Sequence, residues 1–146
     1  MSHMGTMRGA RPPVLLIEDE PSVMSFVQSA LERAGYAVVP ATSGAEALGL
    51  LRQDRRFLGV VSDMRTPGGV DGADVHEWIS AHRPELLERL IFITGDIVNP
   101  ETAATLRRTG APCVEKPFRV QHFMSVVSKV IGGPAGRVPA GYAEEA

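Results

Sequence analysis

Short apolar runs recur along the chain, and four of them end directly in polar or charged residues. Between the runs lie longer segments whose apolar residues recur every three or four positions. This pattern indicates strands that alternate with helices. The four runs and the residues that follow them are Val14–Ile17 with Glu18 and Asp19, residues 58–62 with Asp63, residues 90–93 with Thr94 and Gly95, and residues 111–115 with Lys116 and Pro117.

Alternating strands and helices are typical of βαβ units with right-handed crossovers, so we expect one parallel sheet covered by helices. Several helix starts are marked in the sequence. Pro21 suits a first helical turn, and Ser43 and Glu46 have the spacing of a capping box. Asn99-Pro100 fits an N-cap followed by a first-turn proline. The five predicted strands are Val14–Ile17, 36–39, 57–61, 90–93 and 112–114.

The apolar faces of the predicted helices define the expected core. We interpret the lone tryptophan and the apolar stripe of the last helix as core residues rather than as ligand-binding residues. The predicted core residues are Val23, Phe26, Val27, Ala30 and Leu31 in the first helix, Val75, Trp78 and Ile79 in the third, and Val120, Phe123, Met124, Val127 and Ile131 in the last.

The length of 146 residues is usual for one domain. We expect a tag remnant or flexible lead over residues 1–12, one folded domain over residues 13–131, and a flexible tail over residues 132–146. A net charge of −2 gives no bulk attraction to DNA or to an anionic membrane. No run approaches the roughly 18 apolar residues of a spanning helix, and no signal peptide is evident. These features and the single cysteine favour a cytoplasmic protein.

The polar residues at the strand ends suggest a chemistry. The carboxyl ends of parallel strands meet at one edge of a sheet, where open α/β sheets bind ligands. Asp63 is the candidate nucleophile, because a carboxylate can attack phosphorus and form an acyl phosphate. Glu18 and Asp19 offer the hard oxygen ligands that Mg²⁺ takes. Lys116 would supply a fixed cation for the phosphoryl group, and Thr94 would supply a hydroxyl.

Each of these residues also has an ordinary structural explanation. Acidic residues after a strand often only complement the next helix dipole, as Glu18 and Asp19 would. Asp63 before a proline- and glycine-rich loop could form a turn, and a single lysine is usually a solvated surface residue. The pattern is more specific when the residues are taken together, because they fall at successive strand ends in a consistent order. Cys113 is interpreted as a small buried apolar residue.

With these residues in place, the chain resembles the response-regulator receiver domains of two-component signalling over about residues 13–131. The resemblance implies an α/β fold of flavodoxin-like (βα)5 type, with a doubly wound five-stranded parallel sheet in the order 2-1-3-4-5. The matching motifs are Leu-Leu-Ile-Glu-Asp-Glu from residue 15, Val-Ser-Asp-Met-Arg-Thr-Pro at residues 61–67, Asp71-Gly72, Ile-Thr-Gly at residues 93–95, and Glu-Lys-Pro-Phe at residues 115–118.

The resemblance also implies a site. Asp63 would accept a phosphoryl group from the phosphohistidine of a histidine kinase or phosphotransfer protein, and Thr94 and Lys116 would contact that group. Mg²⁺ would be held by Asp19, Asp63 and the backbone carbonyl of Arg65, with Glu18 helping through water. The Lys116–Pro117 peptide bond would be cis.

The function implied is that of a phosphoacceptor switch rather than an enzyme. Only self-phosphorylation and autodephosphorylation are expected, and kinase activity is expected only in a larger parent chain. Phosphorylation would change the surface of the fourth helix, fifth strand and fifth helix, through which a downstream effector binds. No direct nucleic-acid or membrane partner is expected. Two alternatives stay open for the chain, a stand-alone protein and a part of a sensor kinase.

Three features depart from the family pattern. Cys113 occupies a position where these domains usually have tyrosine or phenylalanine, so the usual coupling between hydroxyl and aromatic ring cannot operate in its common form. The glycine-rich loop of residues 67–72 is one residue longer than usual. Arg65 and Asp96 lie two residues after Asp63 and Thr94, and we hypothesise that they pair across the pocket and slow loss of the phosphoryl group.

Three other functions were weighed against the phosphoacceptor switch. An aspartate-nucleophile phosphatase commonly has a second aspartate two residues after the nucleophile, and Arg65 stands there instead. A receiver-like docking module that does not switch is weakly favoured by Cys113 and disfavoured by the intact acidic, hydroxyl and lysine positions. A DNA-binding regulator is disfavoured, because neither an output domain after Ile131 nor a basic patch is evident in the sequence.

Overall fold

The computed structural model describes residues 12–66 and 68–134, which form a single alternating series of strands and helices. A short 3-10 helix over Pro84–Arg89 precedes the fourth strand. The elements in chain order are β1 (Val14–Ile17), α1 (Pro21–Arg33), β2 (Val38–Ala41), α2 (Gly44–Leu51), β3 (Gly59–Asp63), α3 (Gly72–His82), β4 (Leu90–Thr94), α4 (Pro100–Thr109), β5 (Cys113–Glu115) and α5 (Val120–Val130).

The five strands form one parallel sheet in the order β2-β1-β3-β4-β5, which confirms the predicted fold class and strand order. The inner strands β1, β3 and β4 are buried along their whole length. Such continuous burial is expected where helices cover both faces of a parallel sheet, and it explains why these strands read as uninterrupted apolar runs.

The helices bury two separate apolar clusters, one on each face of the sheet. Successive residues of a strand point to opposite faces, so Val14 and Leu16 lie in one cluster while Leu15 and Ile17 lie in the other. The first cluster is completed by α1 and α5, and the second by α2 and α3. Buried helical residues of the two clusters are Val27, Leu31, Phe123 and Val127 in the first, and Ala47, Leu51, Val75 and Ile79 in the second.

Three predicted strands begin later than the sequence indicated. Strand β2 covers Val38–Ala41 rather than residues 36–39, because the Tyr36 amide still donates to the Leu31 carbonyl at the end of α1. Strand β3 covers Gly59–Asp63 rather than residues 57–61. Its ladder with β1 starts at the Val14–Gly59 pair, so the strand reaches Asp63 itself. Strand β5 is likewise displaced by one residue, to Cys113–Glu115.

The N-terminal caps of the helices agree with those predicted from the sequence except in one detail. The Ser43 hydroxyl accepts the Glu46 amide at 3.0 Å, as predicted. The Glu46 carboxylate, however, accepts the Thr42 amide at 2.8 Å, so it satisfies the residue before the cap. A complete capping box occurs instead at the start of α3, where Asp71 and Asp74 each accept the other's amide.

Five residues assigned to the core lie at its margin. Phe26 on α1 is 43% exposed and Val120 on α5 is 42% exposed. Trp78 is partly buried against the second cluster, and Val23 and Met124 are partly buried against the first. Phe26 lies with its ring centroid 5.9 Å from that of Phe118, beside the end of β5. Helical periodicity therefore located the apolar stripes correctly but overestimated their width.

The proposed lead and tail lie almost wholly outside the described residues, as does Pro67 of the glycine-rich loop. The domain boundaries therefore stay predictions. At the junction with the tail, the Tyr36 hydroxyl donates to the Gly132 carbonyl, and Pro134 lies beside Gly35. Within the described ranges, no helix combines the length and the apolar character needed to cross a membrane.

Two glycines of α2 provide a test of the packing between this helix and the loop before α3. A Cβ added at Gly44 would lie 2.3 Å from the Val70 carbonyl oxygen, whereas one added at Gly49 would meet nothing within 4 Å. We expect Gly44→Ala to lower the free energy of unfolding by about 1–3 kcal/mol through overpacking. Gly49→Ala should raise it by about 0.5–1 kcal/mol through helix propensity. Urea unfolding of both variants measures this, and equal effects of the two substitutions would contradict the described packing.

Candidate functional site

The predicted site residues meet at the carboxyl edge of the sheet. Strand register brings them together: Ile17 pairs with Ser62, and Asp63 pairs with Ile93. Glu18 follows β1, Asp63 ends β3, Thr94 ends β4 and Lys116 follows β5. The residues singled out from the sequence are thus placed side by side by backbone pairing alone.

The Lys116 ammonium lies among three carboxylates. Its Nζ is 3.1 Å from Oε1 of Glu18, 3.3 Å from Oε1 of Glu20 and 3.4 Å from Oδ2 of Asp63. Glu18 is fully buried, and the Asp63 side chain is only 10% exposed. Glu20 was not assigned a role from the sequence, although it belongs to the same acidic triplet. The cleft therefore holds more negative than positive charge.

Burial and neighbouring charges shift the pKa values of Asp63 and Lys116. Burial, and then the charge of Glu18, raise the pKa of Asp63 from 3.8 to about 7, although Lys116 and the Arg65 amide oppose the rise. Burial alone would lower the pKa of Lys116, but the carboxylates of Asp63 and Glu18 outweigh it and raise that pKa. Lys116 thus remains a cation, while Asp63 shares its site with a competing carboxylate.

The acidic part of the cleft has the donor set of a divalent-cation site. Glu18, Asp19 and Asp63 each offer a carboxylate oxygen, and these oxygens lie within 4.8 Å of one another. Oε2 of Glu18 accepts the Glu20 amide at 3.0 Å, but the buried Oε1 accepts no hydrogen bond of good geometry from the described residues, despite its proximity to Lys116. This oxygen shares the Lys116 ammonium with two other carboxylates, and exposed Asp19 lies beside it. Such a set of oxygens fits a hard cation that keeps part of its water shell.

Thr94 is held next to the charged residues with its hydroxyl in the cleft wall. It is 2% exposed, and its Oγ1 accepts the Asp96 amide at 3.1 Å. Its carbonyl accepts the Lys116 amide at 2.8 Å, which fixes the two site residues relative to each other. No acceptor for the hydroxyl proton is present among residues 12–66 and 68–134, so the hydroxyl retains a donor for a bound group.

The predicted pairing of Arg65 with Asp96 is wrong for this structure. The Arg65 guanidinium lies 3.7 Å from the Glu101 carboxylate at the start of α4, and the described residues contain no ion pair between Arg65 and Asp96. The Asp96 amide is instead engaged with Thr94, in the turn that follows β4. Both partners of the Arg65–Glu101 pair are largely exposed, so the pair contributes only ~0–1 kcal/mol to stability. An effect of Arg65 or Asp96 on phosphoryl loss stays a prediction.

The residues around Lys116 agree with the sequence interpretation. The Lys116–Pro117 peptide bond is cis, as the resemblance implied. Cys113 is partly buried and packs against the second cluster as a small apolar residue. Burial, and then the charge of Glu115, raise the pKa of the Cys113 thiol to about 11, so it stays protonated at neutral pH.

Comparisons with known proteins agree with this geometry. A family model of the response regulator receiver domain matches residues 14–128. The chain is 36% identical over 110 residues to the C4-dicarboxylate transport transcriptional regulatory protein DctD of Rhizobium meliloti (strain 1021), covering 75% of this chain and 23% of that protein. It is 30% identical over 121 residues to the response regulator receiver protein CpdR of Brucella abortus (strain 2308), covering 81% of this chain and 95% of that protein.

A solved structure shows the same architecture. The chemotaxis protein CheY4 of Vibrio cholerae superposes with a TM-score of 0.70 at 26% identity, covering 83% of this chain and 99% of that one. The chain therefore spans nearly all of some relatives, but less than a quarter of the length of DctD. Activities of such longer proteins do not transfer to this chain by similarity alone.

The raised pKa of Asp63 leads to a stability test in metal-free buffer. Because the folded-state pKa of about 7 exceeds the ordinary value of 3.8, ionised Asp63 increasingly destabilises the fold as pH rises between these values. Asp63→Asn should raise the free energy of unfolding at pH 8 by roughly 2–4 kcal/mol, and by clearly less at pH 5. Urea unfolding with chelator at both pH values measures this difference.

The matched control is Glu77→Gln, which removes an exposed carboxylate from α3. A surface change of this kind should stay within about 0.5 kcal/mol at either pH. Destabilisation by Asp63→Asn, or a gain that does not vary with pH, would show that Asp63 is not under the electrostatic penalty described.

Proposed function

The chain belongs to the response regulator receiver family of two-component signalling, and we propose that Asp63 is its phosphoacceptor. One observation carries the proposal. A buried carboxylate at the end of β3 lies 3.4 Å from a fixed ammonium and shares its cleft with an acidic cluster. A structural ion pair would need only one carboxylate for Lys116. Three carboxylates around one lysine indicate a site that works with an additional cation.

The proposed reaction is transfer of a phosphoryl group to Asp63. A carboxylate oxygen forms a bond to phosphorus while the bond between phosphorus and an imidazole nitrogen of the donor breaks. The electron pair stays on that nitrogen, which then takes a proton from solvent, and the product is an acyl phosphate on Asp63. The donor is the phosphohistidine of a histidine kinase or phosphotransfer protein, consistent with the family.

The side chains around Asp63 act by position and charge. Lys116 is already within 3.4 Å of Oδ2, so its ammonium would follow the transferred group and contact one phosphoryl oxygen. The Thr94 hydroxyl, whose proton has no acceptor among the described residues, would donate to another. Both are fixed by the backbone hydrogen bond between Lys116 and Thr94, which lowers the cost of orienting them.

We assign Mg²⁺ to the acidic cluster of Glu18, Asp19 and Asp63, with the Arg65 carbonyl as a further ligand and Glu18 acting through water. When bound, the ion neutralises charge on the phosphoryl oxygens. The chain itself supplies the hard oxygen donors, and the exposure of Asp19 leaves room for water ligands.

The proposed output is a change in the surface formed by α4, β5 and α5, through which an effector binds. Phosphorylation draws Thr94 toward Asp63 and so displaces the chain after β4. To change the ratio of active to inactive conformations from 1:99 to 99:1, phosphorylation must favour the active conformation by about 5.5 kcal/mol. Cys113 on β5 has no aromatic ring to follow this movement, so the switch must act through backbone and packing changes.

The remaining predictions belong to the same proposal. The chain is a signalling module, and we propose that it catalyses only its own phosphorylation and dephosphorylation, at a cytoplasmic location. A constitutive docking module is the rival explanation, since Cys113 departs from the usual switch residue. Identical partner binding by wild type and Asp63→Ala would favour that rival.

The direct test of the reaction uses a small phosphodonor. Incubation with acetyl phosphate and Mg²⁺ should add a single phosphoryl group, seen by intact-protein mass spectrometry. Asp63→Asn should abolish the adduct, because the amide cannot form an acyl phosphate. Lys116→Gln should reduce the initial rate by roughly ten- to a thousand-fold, since one fixed charge at the transferred group is lost.

Two controls separate the site from general reactivity. Asp96→Asn, which leaves the cleft carboxylates intact, should accept the phosphoryl group, and chelation of Mg²⁺ should suppress the wild-type reaction. An adduct that persists in Asp63→Asn would place the acceptor elsewhere and overturn the proposal.

A further inference from the structure

The edge of the sheet opposite Asp63 carries a strongly basic cleft. It lies between the α2–β3 connection and the end of α3, and its cavity has a volume of about 410 Å³. The sequence suggested no basic patch, because the contributing residues come from two segments that only the fold brings together. The residues that give the cleft its chemistry are Arg52, Arg55, Arg56, Arg83, Trp78 and His82.

The positive charge of this cleft is poorly compensated. Four arginines line it, and Asp54 is the single carboxylate in its wall. Arg83 lies 3.4 Å from Glu85, which is 64% exposed. Arg52, Arg55 and Arg56 form no ion pair within residues 12–66 and 68–134. In a chain of net charge −2, this is a marked local excess of positive charge.

Helix ends explain only part of this excess. Helices α2 and α3 both end at the cleft, and each helix C-terminus carries the equivalent of about half a negative charge. Two ends therefore offset about one of the four arginine charges, Asp54 offsets another, and Glu85 offsets that of Arg83. About one positive charge remains without a counterpart, which is the charge that a bound anion would supply.

Two of the guanidinium groups are held in place by the fold. Arg55 and Arg83 lie with their guanidinium carbons 5.3 and 5.9 Å from the ring centroid of buried Phe57. Arg83 also donates to the Leu51 carbonyl at 3.4 Å, and its side chain is only 17% exposed. Guanidinium groups fixed in this way lose little freedom when they bind an anion.

An aromatic surface borders the same cleft. The His82 ring stacks on Trp78 with centroids 4.4 Å apart and an angle of 19° between the planes. Its Nδ1 lies 3.0 Å from the Trp78 carbonyl, which fixes the ring. His82 is exposed, so the stack offers an aromatic face to a planar group next to the arginines.

From this combination we infer that the cleft binds a nucleoside diphosphate. Arginine prefers the bidentate geometry of phosphate and carboxylate. A diphosphate places several acceptor oxygens within one small group, so it can contact the arginines of both segments of a single cavity at once, which separate carboxylates do not. The cavity volume falls within the usual range for small-molecule sites, and the His82–Trp78 stack supplies a platform for a nucleobase.

The test uses ADP and inorganic pyrophosphate in buffer with chelator, so that the acidic edge cannot hold an anion through a metal. Trp78 is the only tryptophan in the chain, and its fluorescence therefore reports the cleft directly. We expect ADP to change this fluorescence saturably and to bind at least about tenfold more tightly than pyrophosphate. The doubly substituted Arg52→Gln/Arg56→Gln variant should weaken ADP binding by at least about tenfold.

The matched control is Arg107→Gln/Arg108→Gln, which removes two exposed arginines from the last turn of α4. It should leave ADP binding unchanged, and His82→Ala should weaken binding of ADP but not of pyrophosphate. Absence of ADP binding at millimolar concentrations, or equal loss in both arginine variants, would overturn the inference. Equal affinities for ADP and pyrophosphate would overturn the nucleotide assignment.

Discussion

The shortage of positive charge at the carboxyl edge of the sheet is the constraint on which the rest of the site depends. Parallel register brings Glu18, Asp63 and Lys116 together, and Glu20 and Asp19 add further carboxylates. One ammonium cannot satisfy this group. At about 4 Å, each pair of like charges costs from about 1 kcal/mol in water to about 4 kcal/mol near a protein surface. The fold tolerates this penalty because the sheet and two apolar clusters hold the strand ends in place.

The same constraint is the reason why we propose this site for a transferable phosphoryl group. A cation among the carboxylates and a fixed ammonium would together provide the charge that a phosphoryl group needs during transfer. Without an added cation, the pKa of Asp63 lies near neutrality, although Lys116 already lowers it. The proposed reactivity and the proposed metal binding thus follow from one unfavourable arrangement, which the backbone pairing of β1, β3, β4 and β5 imposes.

The sequence predicted the fold and the residues that meet at the carboxyl edge of the sheet. Both follow from the apolar periodicity and from the polar residues at the ends of the strands. Glu18, Asp63, Thr94 and Lys116 each adjoin an apolar run, and parallel pairing can only bring such ends to one edge. Details that depend on side-chain reach were not predictable. Arg65 extends to Glu101 of α4 rather than to Asp96, whose amide is engaged by Thr94.

The edge of the sheet that carries the basic cleft shows the same limit of prediction from sequence more clearly. Three of its arginines lie within residues 52–56, but that segment also contains Asp54, and the fourth arginine and both aromatic residues come from a distant segment. Only the packing of α3 beside the α2–β3 connection brings Arg83 to Arg55, with Phe57 between them. The molecule therefore segregates charge along the strand direction, with an acidic edge at Asp63 and a basic edge at Arg55, although its net charge is only −2.

The most direct measurement is an NMR titration of the Asp63 side-chain carboxyl, first with chelator and then with Mg²⁺. We expect a titration midpoint near the pKa of about 7 in the absence of metal, and a clear fall of that pKa when Mg²⁺ is added. A midpoint near the ordinary pKa of 3.8 without metal, or no response to Mg²⁺, would contradict the claim that this edge lacks a positive charge.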